Sequence, residues 1–220
     1  MVDGEVKICG TTSEDDLRIA VEASAGAIGV VCPPKTGTRH SVDAEQAFRL
    51  VKAAPDDVTT VLIPRLTEPG AIIELTETVR PDRLQLGETE DIDVLVAVVK
   101  AGVAPVVAQV VHVTDRSAIE QAKAFAKHAD VIHLDSAGAE PGGTGRTHDW
   151  SVSREIVDAV RALGKPVILA GGLTADNVVA AIAAVRPDGV DVESGIKGPG
   201  SAHDPGKVAA FLRTARAAFE

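Results

Sequence analysis

The stretch PVILAGGLTADNVVAAIAAV, residues 166–185, contains the pattern that decides the fold of this chain. It opens with a short apolar run, passes through the pair Gly171-Gly172, and continues with valine and alanine at helical spacing. The opening run is apolar almost throughout instead of alternating, as expected for a parallel strand that is covered on both faces. We therefore predict one strand, one tight turn and one helix.

Units of the same kind recur along the whole chain, at intervals of roughly 25 to 30 residues. The predicted strands are residues 6–9, 27–31, 59–63, 83–86, 105–111, 131–134, 166–170 and 189–192. The predicted helices are residues 14–23, 44–53, 70–79, 92–101, 117–128, 151–163, 175–185 and 205–218.

Eight such units either close into a barrel or spread into an open, doubly wound sheet. The length of 220 residues, with no linker and no shift in composition, favours the barrel. We therefore predict an α/β protein in which residues 1–220 form a single (β/α)8 TIM barrel with eight parallel strands. The open eight-stranded sheet is the alternative.

The composition excludes several classes of partner. Acidic residues outnumber basic ones by 32 to 22, giving a net charge of −10, so nucleic acid and anionic membranes are not expected partners. Aromatic residues make up 2% of the chain, too few for a platform that stacks bases. Two cysteines and an acidic N-terminal segment without a signal-peptide pattern predict a cytoplasmic, unanchored protein.

Polar residues stand at the carboxyl ends of two predicted strands, where barrels gather their functional groups. Side chains alternate along a strand, so Lys7 shares a face with Cys9, and His133 shares one with Asp135. A thiol and a carboxyl at the barrel mouth form a plausible base and acid, provided a cation such as Lys7 lowers the thiol pKa. The alternative is that Cys9 is a small buried hydrophobe and Asp135 a loop anchor.

Glycines follow the last two predicted strands, at Gly171-Gly172 and at Ser194-Gly195. Backbone N–H groups exposed by such turns can hold a phosphate, although a tight turn alone would also explain the glycines. A third glycine-rich loop, residues 142–145, satisfies neither nucleotide-binding fingerprint. We predict a phosphorylated small-molecule ligand.

A metal site is the weaker hypothesis for the histidines. His112, His133, Asp135 and His148 could approach one another, but no established metal-binding spacing is present, so neither a metal nor an organic cofactor is predicted.

Arg39, in the long loop after the second strand, could bind a carboxylate or remain a solvated charge.

Several motifs in order resemble the phosphoribosylanthranilate isomerase family, over nearly the whole chain. They are Val6-Lys7-Ile8-Cys9-Gly10, Leu134-Asp135-Ser136 followed by residues 142–145, Ile168-Leu169-Ala170-Gly171-Gly172-Leu173, and Val190-Asp191-Val192-Glu193-Ser194-Gly195. The resemblance implies a cofactor-free Amadori rearrangement of N-(5′-phosphoribosyl)anthranilate in tryptophan biosynthesis.

The resemblance also implies a role for each matching residue. Asp135 would be the general acid and Cys9 the general base, and Arg39 would pair with the anthranilate carboxylate. Asp191 would orient the substrate near its ribose hydroxyls, with Lys7 as a local cation. Gly143, Gly171, Gly172, Ser194 and Gly195 would hold the phosphate.

Three segments depart from the family pattern. Gln85-Leu86-Gly87-Glu88 stands where the family usually has Gln-Leu-His-Gly, Pro64-Arg65-Leu66 lacks the usual Val-Asn ending, and His203-Asp204 stands where Lys-Asp is commoner. These departures keep two alternatives open: a paralogue that acts on the related histidine-pathway substrate, and a barrel that only binds a sugar phosphate.

Two further points are left open by the sequence. The oligomeric state is either a monomer or a homodimer, and Cys9 and Cys32 could form a disulfide under oxidation.

Overall fold

The computed structural model describes residues 3–33, 40–136 and 150–220. Its strands are β1 (Glu5–Ile8), β2 (Ala27–Cys32), β3 (Thr59–Pro64), β4 (Arg83–Leu86), β5 (Val106–Val113), β6 (Val131–Ser136), β7 (Val167–Leu169) and β8 (Gly189–Val192). Its α-helices are α1 (Glu14–Glu22), α2 (Ala44–Ala53), α3 (Pro69–Val79), α4 (Ile92–Ala101), α5 (Ser117–Phe125), α6 (Trp150–Arg161), α7 (Val178–Val185) and α8 (Pro205–Phe219).

The eight strands are all parallel and form a closed barrel in sequence order, because β1 pairs with both β2 and β8. The prediction of a (β/α)8 barrel is confirmed, and the open-sheet alternative is wrong. Closure joins the two ends of the chain in space, so residues around β1 and β8 become neighbours. In the described part of the chain, no helix is long and apolar enough to cross a membrane.

Two different cores result from the alternation along each strand. Side chains that point outwards, such as Ile8, Ile28 and Leu134, pack with the helices into one large apolar cluster. The interior holds a small apolar cluster as well as buried ion pairs, including Arg83 on β4, whose guanidinium donates to both carboxylate oxygens of Glu5 at 2.7 and 2.9 Å. The Arg83 and Glu5 charges inside the barrel are therefore paired with each other.

The start of α7 differs from the prediction of residue 175. The helix begins at Val178, because the Asn177 side chain holds residues 174–177 in a turn. Its Oδ1 accepts from the Thr174 N–H at 2.8 Å and its Nδ2 donates to the Gly172 carbonyl at 2.9 Å. Residues 174–177 thus brace the glycine turn rather than extend the helix.

Candidate active site

Cys9 lies directly after β1, with its N–H donating to the Val192 carbonyl at 2.8 Å. Its sulfur faces the barrel interior, because a Cβ built on Gly29 of β2 would stand 2.9 Å from Cys9 Sγ and 3.0 Å from Lys7 Nζ. The prediction that Lys7 and Cys9 share one face is therefore confirmed. Glycine at position 29 leaves the space that the sulfur and the ammonium group occupy.

Below Cys9, three charged or polar side chains form a buried network centred on Asp191 of β8. Lys7 Nζ donates to Asp191 Oδ2 at 2.7 Å, and His133 Nε2 lies 3.2 Å from the same oxygen. Lys7 is fully buried, so its ammonium group serves Asp191 and the thiol rather than the solvent-facing mouth. Asp191 Oδ1 is buried and has no hydrogen-bond partner among the described residues, which leaves it able to accept from a hydroxyl.

The charges of this network can be worked out from its geometry. Burial opposes ionisation of Asp191, but the Lys7 ammonium and the His133 hydrogen bond outweigh it and hold the pKa of Asp191 at about 2. Burial likewise opposes the charge on Lys7, yet Asp191 and Cys9 raise the pKa of Lys7 above its ordinary value. The pair is therefore fully ionised at neutral pH.

The thiol behaves differently from the sequence-based expectation. Burial raises the pKa of Cys9 to about 12, with Asp191 and Glu193 adding to the shift, and the nearby Lys7 only partly offsets them. The condition that a cation such as Lys7 lowers the thiol pKa below its reference value is not met in the free protein, because the effect of burial exceeds that of Lys7. Cys9 is a thiol at neutral pH.

The two cysteines lie on opposite faces of the strand layer. Cys9 points into the barrel, whereas Cys32 belongs to the apolar cluster between strands and helices. Both are free and buried. Neighbouring strands therefore do not bring the sulfur atoms together, and the hypothesis of a disulfide has no support in this arrangement.

We predict slow labelling of both cysteines by iodoacetamide at pH 7, because burial raises the pKa of Cys9 to about 12 and that of Cys32 to about 11. The rate should rise about tenfold per pH unit, since the thiolate is the reactive form. Mass spectrometry of the intact protein counts the labels, and Cys32→Ala assigns the remaining one to Cys9. Rapid, pH-independent labelling of Cys9 in that variant would contradict the result.

Asp135 stands on β6, three strands from β1 around the closed order. Its side chain is partly exposed. In the strand register, Asp135 is paired with His112 of the adjacent strand β5. Cys9 and Asp135 thus lie at the same end of the barrel and on different sides of its mouth.

In the part of the chain that the structure describes, no cluster of three or more histidines, cysteines and carboxylates could hold a metal ion.

A cavity of about 620 Å³ opens beside the ends of β7 and β8. Gly172, Ser194 and Gly195 line it, together with Lys207 in the first turn of α8. Gly171 and Gly172 have φ values of 90° and 64°, a region that favours glycine. Three of the residues predicted to hold a phosphate therefore border one cavity, next to a helix N-terminus and a lysine.

Gly195 allows an unusually close approach between the two loops of this cavity. A Cβ at position 195 would lie 2.1 Å from the Leu173 carbonyl oxygen. We expect Gly195→Ala to force the loops apart, costing about 1–3 kcal/mol of stability and weakening binding of inorganic phosphate. Thermal melts and calorimetry measure both, with Gly70→Ala as the control, because nothing lies within 4 Å of a Cβ there. Equal behaviour of the two variants would refute the prediction.

The structure adds residues that sequence reasoning missed. Asp16 of α1 accepts from the His203 N–H at 2.8 Å and from Thr12, which ties the loop after β1 to the loop before α8. Lys197 donates to the Gly10 carbonyl at 2.6 Å and so packs over the Cys9 segment. No local motif marks these residues, since their partners are distant in sequence.

Three residues named from the sequence, Arg39, Gly143 and His148, lie outside the described residues. The other predicted site residues form three groups. Cys9 and Asp135 lie at the barrel mouth, Lys7 and Asp191 form a buried ion pair, and glycines after β7 and β8 border the cavity. Together the barrel, the thiol and carboxyl at its mouth and the cavity after β7 and β8 define a class: (β/α)8-barrel proteins built to handle a phosphorylated small molecule.

Comparison with known proteins gives the family. The family model described as N-(5′-phosphoribosyl)anthranilate (PRA) isomerase matches residues 6–214. The N-(5′-phosphoribosyl)anthranilate isomerase of Haloferax volcanii is 41% identical over 217 residues, covering 97% of this chain and 93% of that protein. That of Methanocella arvoryzae is 37% identical over 96% of this chain and 97% of its own. The chain belongs to the phosphoribosylanthranilate isomerase family.

Solved structures agree with the fold. The crystal structure of the phosphoribosyl anthranilate isomerase from Thermotoga maritima superposes with a TM-score of 0.86 at 30% identity, covering 97% of this chain and 98% of that one. A phosphoribosyl anthranilate isomerase in complex with reduced 1-(o-carboxyphenylamino)-1-deoxyribulose 5-phosphate gives a TM-score of 0.80 at 28% identity, with the same coverage.

Proposed function

We propose that this chain catalyses the Amadori rearrangement of N-(5′-phosphoribosyl)anthranilate, with Asp135 as general acid and Cys9 as general base. The observation that carries the proposal is the placement of a buried thiol and a partly exposed carboxyl on different sides of one barrel mouth. The reaction only relocates protons and one carbonyl group within the substrate. It therefore needs no cofactor and no external oxidant or reductant.

Asp135 acts first. It donates a proton to the ribose ring oxygen while the nitrogen lone pair moves into the C1′–N bond and the C1′–O bond breaks. This step opens the ring to a cationic imine and leaves Asp135 as a carboxylate. A partly exposed carboxyl suits the role, because it can recover its proton from solvent after each turnover.

Cys9 acts second, by removing the C2′ proton so that electrons flow to the imine nitrogen and an enolamine forms. The enolamine then takes up a proton at C1′ as the ketone forms at C2′. The base must be a thiolate, whereas burial raises the pKa of Cys9 to about 12 in the free protein. The cationic imine supplies the missing charge: a cation beside the sulfur lowers the thiol pKa at the step that needs the thiolate.

Substrate binding relies on local charges, because the net charge of −10 repels an anion that carries both a phosphate and a carboxylate. The phosphate would bind at Gly171, Gly172, Ser194 and Gly195, with Gly143 contributing as the resemblance implies. Asp191 Oδ1, which lacks a partner among the described residues, would accept from a ribose hydroxyl, and Lys7 would hold Asp191 ionised. Arg39 would pair with the carboxylate.

A direct assay tests the proposal. Purified protein is mixed with phosphoribosylanthranilate, and loss of the anthranilate-type fluorescence is followed beside a parallel reaction with the histidine-pathway aminoimidazole substrate. Conversion of the first compound alone supports the proposal, and conversion of the second alone supports the paralogue. Phosphate-ester binding without any conversion supports a barrel that only binds its ligand.

The setting of the protein is proposed on the same basis. A base that acts through a free sulfur suits the reducing cytoplasm, and both cysteines are free. Residues 1–220 would act as one catalytic domain, with the phosphorylated substrate as the partner and no role for nucleic acid. Whether the chain acts as a monomer or a homodimer stays a prediction.

A further inference from the structure

Two of the three segments that depart from the family pattern are joined by an ion pair. Arg65 follows β3 directly, and its Nε donates to Oε1 of Glu88, just beyond β4, at 2.8 Å. The side chains are 26% and 25% exposed, so the pair lies at the rim of the barrel mouth. These two departures therefore form one local feature at the ends of neighbouring strands.

The ion pair uses only one part of the Arg65 guanidinium. The two η nitrogens have no hydrogen-bond partner within the described residues, although the Glu88 contact fixes the orientation of the plane. A guanidinium held in this way presents two parallel N–H donors, which match the two oxygens of a carboxylate. These oriented donors can still form hydrogen bonds to a carboxylate even though Glu88 offsets the positive charge of Arg65.

This corner lies across the mouth from the glycine-lined cavity. In the closed order, β3 is four strands from β7 and β4 is four strands from β8, so the two pairs stand on opposite sides of the barrel. A substrate whose phosphate binds after β7 and β8 extends its aromatic carboxylate towards the other side. The two anionic ends of the substrate then meet donors on opposite rims.

The residue next to Glu88 keeps this corner closely packed. Gly87 carries no side chain, and a Cβ built there would lie 3.2 Å from Val110 Cγ2, closer than ordinary van der Waals contact. His112 of β5 approaches the same residue, with Nε2 3.5 Å from the Gly87 carbonyl oxygen. A side chain at position 87 would therefore have to displace Val110.

We propose that Arg65 determines specificity for the carboxylated substrate: its η nitrogens donate to the substrate carboxylate, and Glu88 orients the guanidinium. The inference rests on the proposed function and deepens it. The resemblance assigns the same carboxylate to Arg39, which lies outside the described residues. Replacing Arg65 alone leaves Arg39 in place and so separates the two contributions.

The test compares phosphoribosylanthranilate with phosphoribosylaniline, the analogue that lacks the carboxylate. For Arg65→Gln we expect KM to rise about 10- to 100-fold for the carboxylated compound and to change less than about 3-fold for the analogue. For Glu88→Gln we expect KM for the carboxylated compound to stay level or fall, because the amide oxygen still accepts from Arg65 Nε and keeps the guanidinium oriented while the competing negative charge is removed. Arg161→Gln, which breaks the Arg161–Asp188 pair away from the mouth, is the control and should alter neither KM.

A purely structural ion pair would give a different pattern. Arg65→Gln and Glu88→Gln would then lower the melting temperature alike and shift KM for both compounds in parallel, and this result overturns the inference. If wild-type protein converts neither compound, the proposed function fails. Calorimetry with reduced 1-(o-carboxyphenylamino)-1-deoxyribulose 5-phosphate and its decarboxylated analogue then decides the inference, because only loss of carboxylate-dependent affinity in Arg65→Gln supports it.

Discussion

Cys9→Ala and Asp135→Asn are each expected to lower kcat/KM by about 10²- to 10⁴-fold, because each removes a proton-transferring group from the barrel mouth. Fluorescence of the anthranilate group follows turnover, and circular dichroism verifies that each variant is folded. Cys32→Ala is the matched control, since its sulfur lies in the helix-side apolar cluster and should be dispensable for turnover.

The two variants should also fail at different steps. Cys9→Ala keeps the acid and can still open the ring, whereas Asp135→Asn stops before ring opening. Incorporation of solvent deuterium at C1′ of the product should vanish in both, but reduction with borohydride should trap the opened imine only in Cys9→Ala. Wild-type turnover by either variant contradicts the assigned mechanism, and loss of activity in Cys32→Ala would show that sulfur removal acts through packing instead.

Asp191→Asn is expected to cost about 3–5 kcal/mol of unfolding free energy, because it leaves the fully buried Lys7 ammonium without its counter-charge. Chemical denaturation measures the loss. The double variant Lys7→Met with Asp191→Asn should recover a large part of it, since both charges are then gone. Asp158→Asn, which breaks the exposed Arg154–Asp158 pair, is the control and should cost less than about 1 kcal/mol. A double variant as unstable as the sum of its single changes would contradict this account.

The same pair predicts a dependence of stability on pH. The pKa of Asp191 in the folded protein is held at about 2, below its ordinary value of 3.8. The folded state therefore binds fewer protons than the unfolded chain near pH 3, so the contribution of Asp191 is present above pH 3.8 and is lost as the pH falls towards 2. Denaturation at stepped pH should show this loss in wild type and a flatter profile in Asp191→Asn.

The fold could be predicted because each strand–helix unit carries its own local signals. Most predicted bounds agree with the structure within a few residues, as for β4 and α4, where apolar periodicity and capping point to the same limits. The start of α7 could not be predicted, because the choice between a helical turn and a side-chain-braced loop depends on Asn177 reaching back to Gly172.

The residues of the candidate site were visible in the sequence, but their physical state was not. Alternation along β1 correctly predicted that Lys7 and Cys9 share a face. Lys7 does not bring the thiol pKa below its ordinary value, because burial of the sulfur outweighs the Lys7 charge and Asp191 adds a negative charge nearby. Arg65 and Glu88 each looked like an isolated departure from a pattern, and only the adjacency of β3 and β4 pairs them.

The sequence alone determined the eight strand–helix units, the end of the barrel where chemistry gathers, and the residue types available there. These follow from interactions within roughly 25 to 30 residues, which periodicity and turn composition record directly. Only the tertiary structure decided the charge on the thiol, the separation of Cys9 from Cys32 and the Arg65–Glu88 pair. The physical reason is that burial and electrostatic interactions depend on distances in space, and barrel closure sets those distances between residues far apart in the chain.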